Sequence, residues 1–148
     1  MNLTQVHIRE GSIDEVVTLS QMIPEFDNPY SSEEYLNRLN NKKHLIAVAE
    51  LHNQLVGFKV GYEWTDNATF YSWMGGVLPE FRKMGVARNL AEFQEQYARR
   101  NGFERILMKT RNMHKNMLIF AIASGFNIIQ VEPKSEVLEN RILLSKKI

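Results

Sequence analysis

Apolar residues recur along this chain at two spacings, and each change of spacing marks a new element. Residues 5–10, QVHIRE, predict a short first strand. Ser12 and Glu15 then have the spacing of a capping box, and Ile13, Val16, Val17 and Ile23 follow at helical intervals. Ser31 and Glu34 repeat the device before a second short helix, whose apolar face is Tyr35, Leu36 and Leu39. Between the helices lies PEFDNPY, a loop held by two prolines and rich in aromatic and acidic side chains. HLIAVAEL and LVGFKVGYEW flank the turn signal His52-Asn53-Gln54, which predicts an antiparallel hairpin. Asp66-Asn67 turns the chain into a third strand, TFYSWMGGVL.

The helical period returns over residues 86–100. Val86, Leu90, Phe93 and Tyr97 line one face, Glu95 and Arg99 form an i,i+4 pair on another, and Asn101-Gly102 ends the helix. RILMKT is a further strand, residues 113–124 a helix stopped by Gly125, and FNIIQVE and RILLSK two last strands. The order β-α-α-β-β-β-α-β-α-β-β describes an α/β (α+β) fold, a mixed sheet with helices on its faces, and 1–148 reads as a single domain.

Composition narrows the function. The chain has 148 residues and a formal net charge of +1, so no global field draws it to nucleic acid or to an anionic membrane. Any anion site must be local. The absence of cysteine excludes disulfides, thiolate metal sites and a cysteine nucleophile. No apolar run approaches the roughly 20 residues of a membrane span, and MNLTQVHIREG does not have the pattern of a signal peptide, so a cytoplasmic protein is expected. His7, His44, His52 and His114 show no ligand spacing, and no metal is expected.

The candidate local site is GGVLPEFRKMGVARNL, residues 75–90. Arg82, Lys83 and Arg88 surround the start of a helix, an end that already carries about half a positive charge. A strand, a short loop and a helix together aim free backbone N–H groups at an anion, and Gly85 lets a ligand approach without a side chain in the way. Neither GK[ST] nor G-x-G-x-x-G is present, and no acidic ribose- or magnesium-binding pattern supports a nucleotide module. Gly75-Gly76 inside an aromatic strand marks either a bend or a place where another backbone or a ligand comes close.

The segment VLPEFRKMGVA resembles the acetyl-CoA signature of the GNAT superfamily of N-acetyltransferases, R/Q-x-x-G-x-G/A preceded by V-x-P, and the later helix with Gly125-Phe126 is similar to that family's second motif. The element order agrees over nearly the whole chain. The resemblance implies a mostly antiparallel sheet of six to seven strands flanked by about four helices, with two parallel neighbours splaying near Val77 and Thr110. The pantetheine arm of acetyl-CoA would lie in that slot along Gly76, Val77 and Leu78 like an added strand. Its pyrophosphate would meet the N–H groups of Arg82, Lys83, Met84, Gly85, Val86 and Ala87, with Lys83 and Arg88 as candidate phosphate neighbours. The implied activity is transfer of an acetyl group to a primary amine, small-molecule or peptide, by direct transfer in a ternary complex. A homodimer is compatible with such a fold.

Two family positions differ here. The tyrosine that protonates the leaving thiolate stands four residues before Gly-Phe in many members, and Ala121 occupies that place. Asn112 and Asn116 bracket the family's asparagine, with His114 between them. Asn112 also reads as a helix N-cap, whereas Asn116 lies inside the helix, where asparagine is a poor former. The missing tyrosine keeps a second reading open, a catalytically weak or inactive CoA-binding regulatory module. For the base, Glu63 either lies in the middle of a sheet strand among apolar neighbours, where an unpaired carboxylate is costly, or reaches solvent at the strand end before Asp66. Glu25 and Asp27 are candidates for holding a cationic acceptor, and Tyr62, Tyr71 and Trp73 for walling its pocket.

Overall fold

The computed structural model describes residues 5–66 and 68–148. The first four residues, part of the segment read for a signal peptide, and Asn67 of the Asp66-Asn67 turn lie outside the described residues. The elements are β1 (His7–Glu10), α1 (Ile13–Gln21), α2 (Ser32–Leu39), β2 (His44–Leu51), β3 (Gln54–Glu63), β4 (Thr69–Val77), α3 (Val86–Arg100), β5 (Arg105–Arg111), α4 (Lys115–Ala123), β6 (Asn127–Glu132) and β7 (Arg141–Lys147). This is the order read from the periodicity. Short 3-10 turns at Pro79–Phe81 and Val137–Glu139 complete it.

One seven-stranded sheet runs β1-β2-β3-β4-β5-β7-β6, antiparallel except where β4 lies parallel to β5. The expected mixed, mostly antiparallel sheet flanked by four helices is therefore the observed one. The predicted antiparallel hairpin is present, but its turn is two residues, not three, because Gln54 already belongs to β3: His52 (φ 54°) and Asn53 (φ 63°) are both left-handed, the conformation that matches strand twist. Ser12 and Glu15 close a reciprocal capping box on α1. On α2 only half of that device forms, Ser31 accepting from the Glu34 N–H at 3.2 Å.

Two apolar layers cover the sheet. Val16, Leu19 and Ile23 after α1, with Tyr35 and Leu39 of α2, bury one face against Phe58, Val60 and Tyr62. Val86 and Leu90 of α3 bury the other against Leu45, Val56, Phe70 and Ile106. Leu36, expected in the α2 face, is exposed instead, because a helix of eight residues presents only its Tyr35–Leu39 edge to the sheet. On α3 the buried stripe is Val86, Leu90, Gln94 and Ala98; Phe93 and Tyr97 flank it half-buried. A polar side chain in that stripe has no explanation in packing alone.

Candidate acetyl-donor slot and acceptor face

The parallel pairing of β4 and β5 runs only from Thr69↔Arg105 to Ser72↔Met108. Beyond it, among the described residues, residues 74–77 of β4 pair with β3 alone, and residues 109–111 of β5 with β7 alone. A bulge helps to separate them: Val60 faces Met74 and Gly61 faces Ser72, so Trp73 is an extra residue that bends β4. Two inner strand edges are left without a neighbour. Because Leu78 N–H bonds to Val56 O on the β3 side, the alternation of an antiparallel pair turns the N–H and C=O of Gly75 and Val77 toward the gap. Gly76, the expected backbone contact, faces β3 with its amide. What glycine provides at position 76 is room: a β-carbon there would stand 2.8 Å from Ile23 Cδ1 and 3.3 Å from the Phe26 ring.

The loop after β4 forms an anion cradle. Lys83 (φ 64°) and Gly85 (φ 85°) both adopt the left-handed region, and Gly85 is the N-cap of α3. The first helical bond is Asn89 N–H to Gly85 O at 3.0 Å. Among the described residues, the backbone N–H groups of Lys83, Met84, Gly85, Val86, Ala87 and Arg88 find no protein acceptor. Left-handed residues alternating with right-handed ones curve such N–H groups into a concave nest for phosphate-type oxygens. Leu78, also assigned to the cofactor, is buried and caps the end of β4.

Arg82 departs from its expected role. Its guanidinium makes a two-pronged ion pair with Glu25 at 2.8 and 2.8 Å, its Nε donates to Val77 O at 3.1 Å, and its own N–H bonds back to Pro79 O. Arg82 thus ties the α1–α2 loop to the end of β4 and is not free for phosphate. The same guanidinium holds the Glu25 carboxyl below the usual carboxylate range, with His114 adding to the effect. Lys83 and Arg88 remain exposed at the cradle.

The second motif is partly reassigned. His114, not Asn112, is the N-cap of α4. Asn112 donates to Val137 O at 3.2 Å and accepts from Lys115 Nζ at 2.9 Å, which fastens the β5–α4 loop to the β6–β7 connection. Asn116 is exposed in the first turn of α4. Ala121 is buried where the family tyrosine was sought, and its small side chain lines a cavity between α3, α4 and the sheet.

Tyr62, Tyr71 and Trp73 do come together, on the face covered by α1 and α2. Trp73 packs on Tyr30 and Tyr35, and Tyr62 meets Tyr71 edge-on at 5.4 Å. Burial pushes both Tyr35 and Tyr71 up to about 12. The outward ring faces are already taken by the protein's own cations: Arg38 lies 4.6 Å over Trp73, Lys42 4.6 Å over Tyr62, and Lys109 4.8 Å over Trp64. An ammonium acceptor would therefore meet Trp73, Tyr62 and Trp64 already covered by cations, with exposed Tyr30 beside them. Asp27 is exposed beside this wall.

Glu63 is not brought to the slot. It ends β3 opposite Phe70, two residues behind the Ser72↔Met108 pair that closes the gap, and its Oε1 accepts the Lys43 N–H at 3.0 Å. The sequence placed it mid-strand, but the strand stops at Glu63 and the carboxylate is satisfied by the β2 approach. Glu63→Gln should accordingly leave kcat at its original level while costing about 1 kcal/mol of stability or less, to be checked by steady-state kinetics and thermal melting. A large loss of kcat without a change in melting would restore Glu63 to the reaction.

Among the described residues no His, Asp and Glu side chains gather as a metal site, and no helix is long and apolar enough to cross a membrane. The fold recurs widely in solved structures. The chain superposes on the ribosomal-protein-S18-alanine N-acetyltransferase of Escherichia coli with a TM-score of 0.82 at 14% identity, covering 97% of this chain and 94% of that one. Ard1 from Thermoplasma volcanium gives 0.82 at 19% identity over 97% of each chain. The PaiA N-acetyltransferase from Thermoplasma acidophilum, solved in complex with coenzyme A, gives 0.79 at 15% identity over 97% and 99%. No curated protein matches the sequence closely enough to add to these. A family model, the Acetyltransferase (GNAT) family, matches residues 13–126, which contain α1, the cradle, the split strands and α4. With most of its length inside that match, and with the slot and cradle in place, the chain belongs to the GNAT family of acetyltransferases, enzymes whose co-substrate is acetyl-CoA.

Proposed function

We propose that the protein transfers the acetyl group of acetyl-CoA directly to a primary amine, small-molecule or peptide, while both substrates are bound. The observation that carries this reading is the splitting of β4 from β5 beside a loop with six consecutive unpaired N–H groups. A strand-like pantetheine suits the free edge at Gly75 and Val77, and a pyrophosphate suits the nest at residues 83–88. Acetyl-CoA supplies an acetyl group already activated as a thioester. The chain's own residues then orient it: the Gly75 and Val77 N–H groups can polarise a carbonyl lying in the gap. Trp73 and Tyr30 exclude water from the opposite face, where the amine arrives. The Arg82–Glu25 pair holds the acceptor-side loop against the end of the slot.

A free amine with a pKa near about 10 is almost fully protonated at neutral pH, so a proton must leave before attack. With Glu63 occupied elsewhere, kcat/KM should rise with pH alike in the unmodified protein and in Glu63→Gln. The test of the function itself is twofold. Millimolar acetyl-CoA should raise the melting temperature by linkage, and a panel of amines screened for release of free CoA should yield turnover. Stabilisation without turnover on any amine would favour a CoA-binding regulatory module, in keeping with Ala121 at the tyrosine position. The absence of cysteine is in keeping with a cytoplasmic enzyme.

A second copy of the chain is the partner we propose for the outer edge of the sheet. Among the described residues β6 pairs only with β7, and its Ile128, Ile129 and Val131 are exposed, as are Ile119 and Ile122 of α4. An antiparallel pairing of β6 with its own symmetry mate is self-complementary and would remove both liabilities. Light scattering should find a dimer that Ile129→Asp converts to monomer; a monomer at every concentration would refute it.

A further inference from the structure

We propose that Lys59 of β3 is the group that receives the departing CoA thiolate and hands it a proton, an assignment that rests on the acetyltransferase reading. Lys59 pairs with Gly75, the residue whose backbone faces the gap. Alternation along β3 puts its side chain on the α3 face, where a β-carbon on Gly57 would meet Val86 and Leu90. The amine ends 3.7 Å from where a β-carbon on Gly75 would stand, so the lysine lies over Gly75 of β4, beside the gap. It enters the cavity bounded by Ser72 and Met108, the last parallel pair before the strands part, and by Ala121. The small alanine leaves that space to the lysine.

The donors there have no acceptors. Lys59 makes no hydrogen bond or ion pair among the described residues, and Gln94 Nε2, buried in the same cavity, has none either. The one carboxylate sharing the cavity, Glu95 of α3, is held by Lys146 at 2.8 Å and Arg99 at 3.1 Å; β4, β5 and α4 contribute no charged side chain to it. A cation and an amide with nothing to bind, beside the closed end of the slot, are complementary to an anion formed there. They also explain why α3 carries a glutamine in its buried stripe.

In the reaction the thioester C–S bond breaks as the amine's N–C bond forms, and the sulfur leaves with the bonding pair. Lys59 Nζ transfers a proton to that sulfur and becomes a neutral amine. It regains a proton from solvent, to which the acceptor amine has released its own. Burial pushes the Lys59 ammonium down to about 8, far enough toward the thiol range for the proton to pass to the sulfur on its way to product release. The depressed value also carries a cost. The folded protein binds fewer protons than the unfolded chain between pH about 8 and the ordinary lysine value of 10.5, so stability rises through that window and the charged lysine destabilises the fold below it. Lys59→Met, similar in volume and uncharged, should thus melt higher than the unmodified protein at pH 7, with the gain fading above about pH 10.

The decisive measurement is the titration of the thiol of bound CoA, followed by the ultraviolet absorbance of its thiolate. In the unmodified protein it should lie about one unit or more below free CoA, the usual effect of an adjacent cation, and in Lys59→Met return to the free value. CoA should outcompete desulfo-CoA above neutral pH only when Lys59 is present. Lys59→Arg should keep the shifted thiol but lose kcat by about a hundredfold, with KM for acetyl-CoA little changed, because guanidinium does not release its proton. CoA that binds the unmodified protein and titrates as it does in solution would overturn this assignment and leave the proposed function standing. Failure of CoA to bind at all would overturn both.

Discussion

Gly85→Val is expected to weaken acetyl-CoA binding by about a hundredfold, a loss of about 2.7 kcal/mol, in a protein that still folds. The cause is conformational. A β-carbon at position 85 would find open space, with Asn89 Nδ2 its nearest neighbour at 3.6 Å. Its φ of 85°, however, is one that a β-branched residue resists, at a cost of roughly 1–2 kcal/mol. Relaxing that angle turns Gly85 out of the left-handed region and disperses the N–H groups on either side of it. The same strain, exposed at a loop, should lower the melting temperature by only about 2–8 °C. Lys83→Ala is the matched comparison: it removes a flexible exposed charge and keeps the nest, so its effect on binding should be much smaller. Calorimetric titration with acetyl-CoA, with circular dichroism melting as the control for folding, reads both. Wild-type affinity in Gly85→Val would mean that phosphate is held elsewhere.

Phe70→Ala should be the most damaging single change to stability, about 3–5 kcal/mol in denaturant unfolding, a large share of the 5–15 kcal/mol usual for a domain. Phe70 is fully buried and meets Tyr97 at 5.6 Å and Phe103 at 5.2 Å between ring centroids. Its ring also lies where a β-carbon on Gly61 would be, so the neighbouring strand is shaped around it. The position matters to the site because Phe70 faces Ile106 in the short parallel pairing that closes the slot. Loss of the ring should therefore weaken acetyl-CoA binding as well, by loosening the point from which the strands diverge. A variant that unfolds at unchanged denaturant concentration would show that the cavity collapses without strain, and that the strand junction does not depend on this side chain.

The amino-acid sequence by itself determined the element order, the hairpin at His52-Asn53 and the cradle around Gly85. Each of these depends on interactions within a few residues: apolar period, turn residues that tolerate positive φ, and a glycine at a helix start. The resemblance in residues 75–90 and at Gly125-Phe126 carried the family with it. What neighbours across the sheet do to each side chain was decided only by the tertiary structure. The backbone N–H of Arg82 belongs to the expected pyrophosphate cradle, yet it bonds back to Pro79 O, and Glu25, 57 positions away, claims the guanidinium. Glu63 was read as a base because its strand was thought to continue, and the Lys43 N–H across the sheet occupies it instead. Gly76 serves the packing of Ile23 and Phe26, which no local pattern records. Lys59 owes its half-buried place to α3 and α4 closing over β3 and β4. Its chemistry is set by which partners are absent, and absence of a partner is a property of the folded assembly of elements that no window of sequence contains.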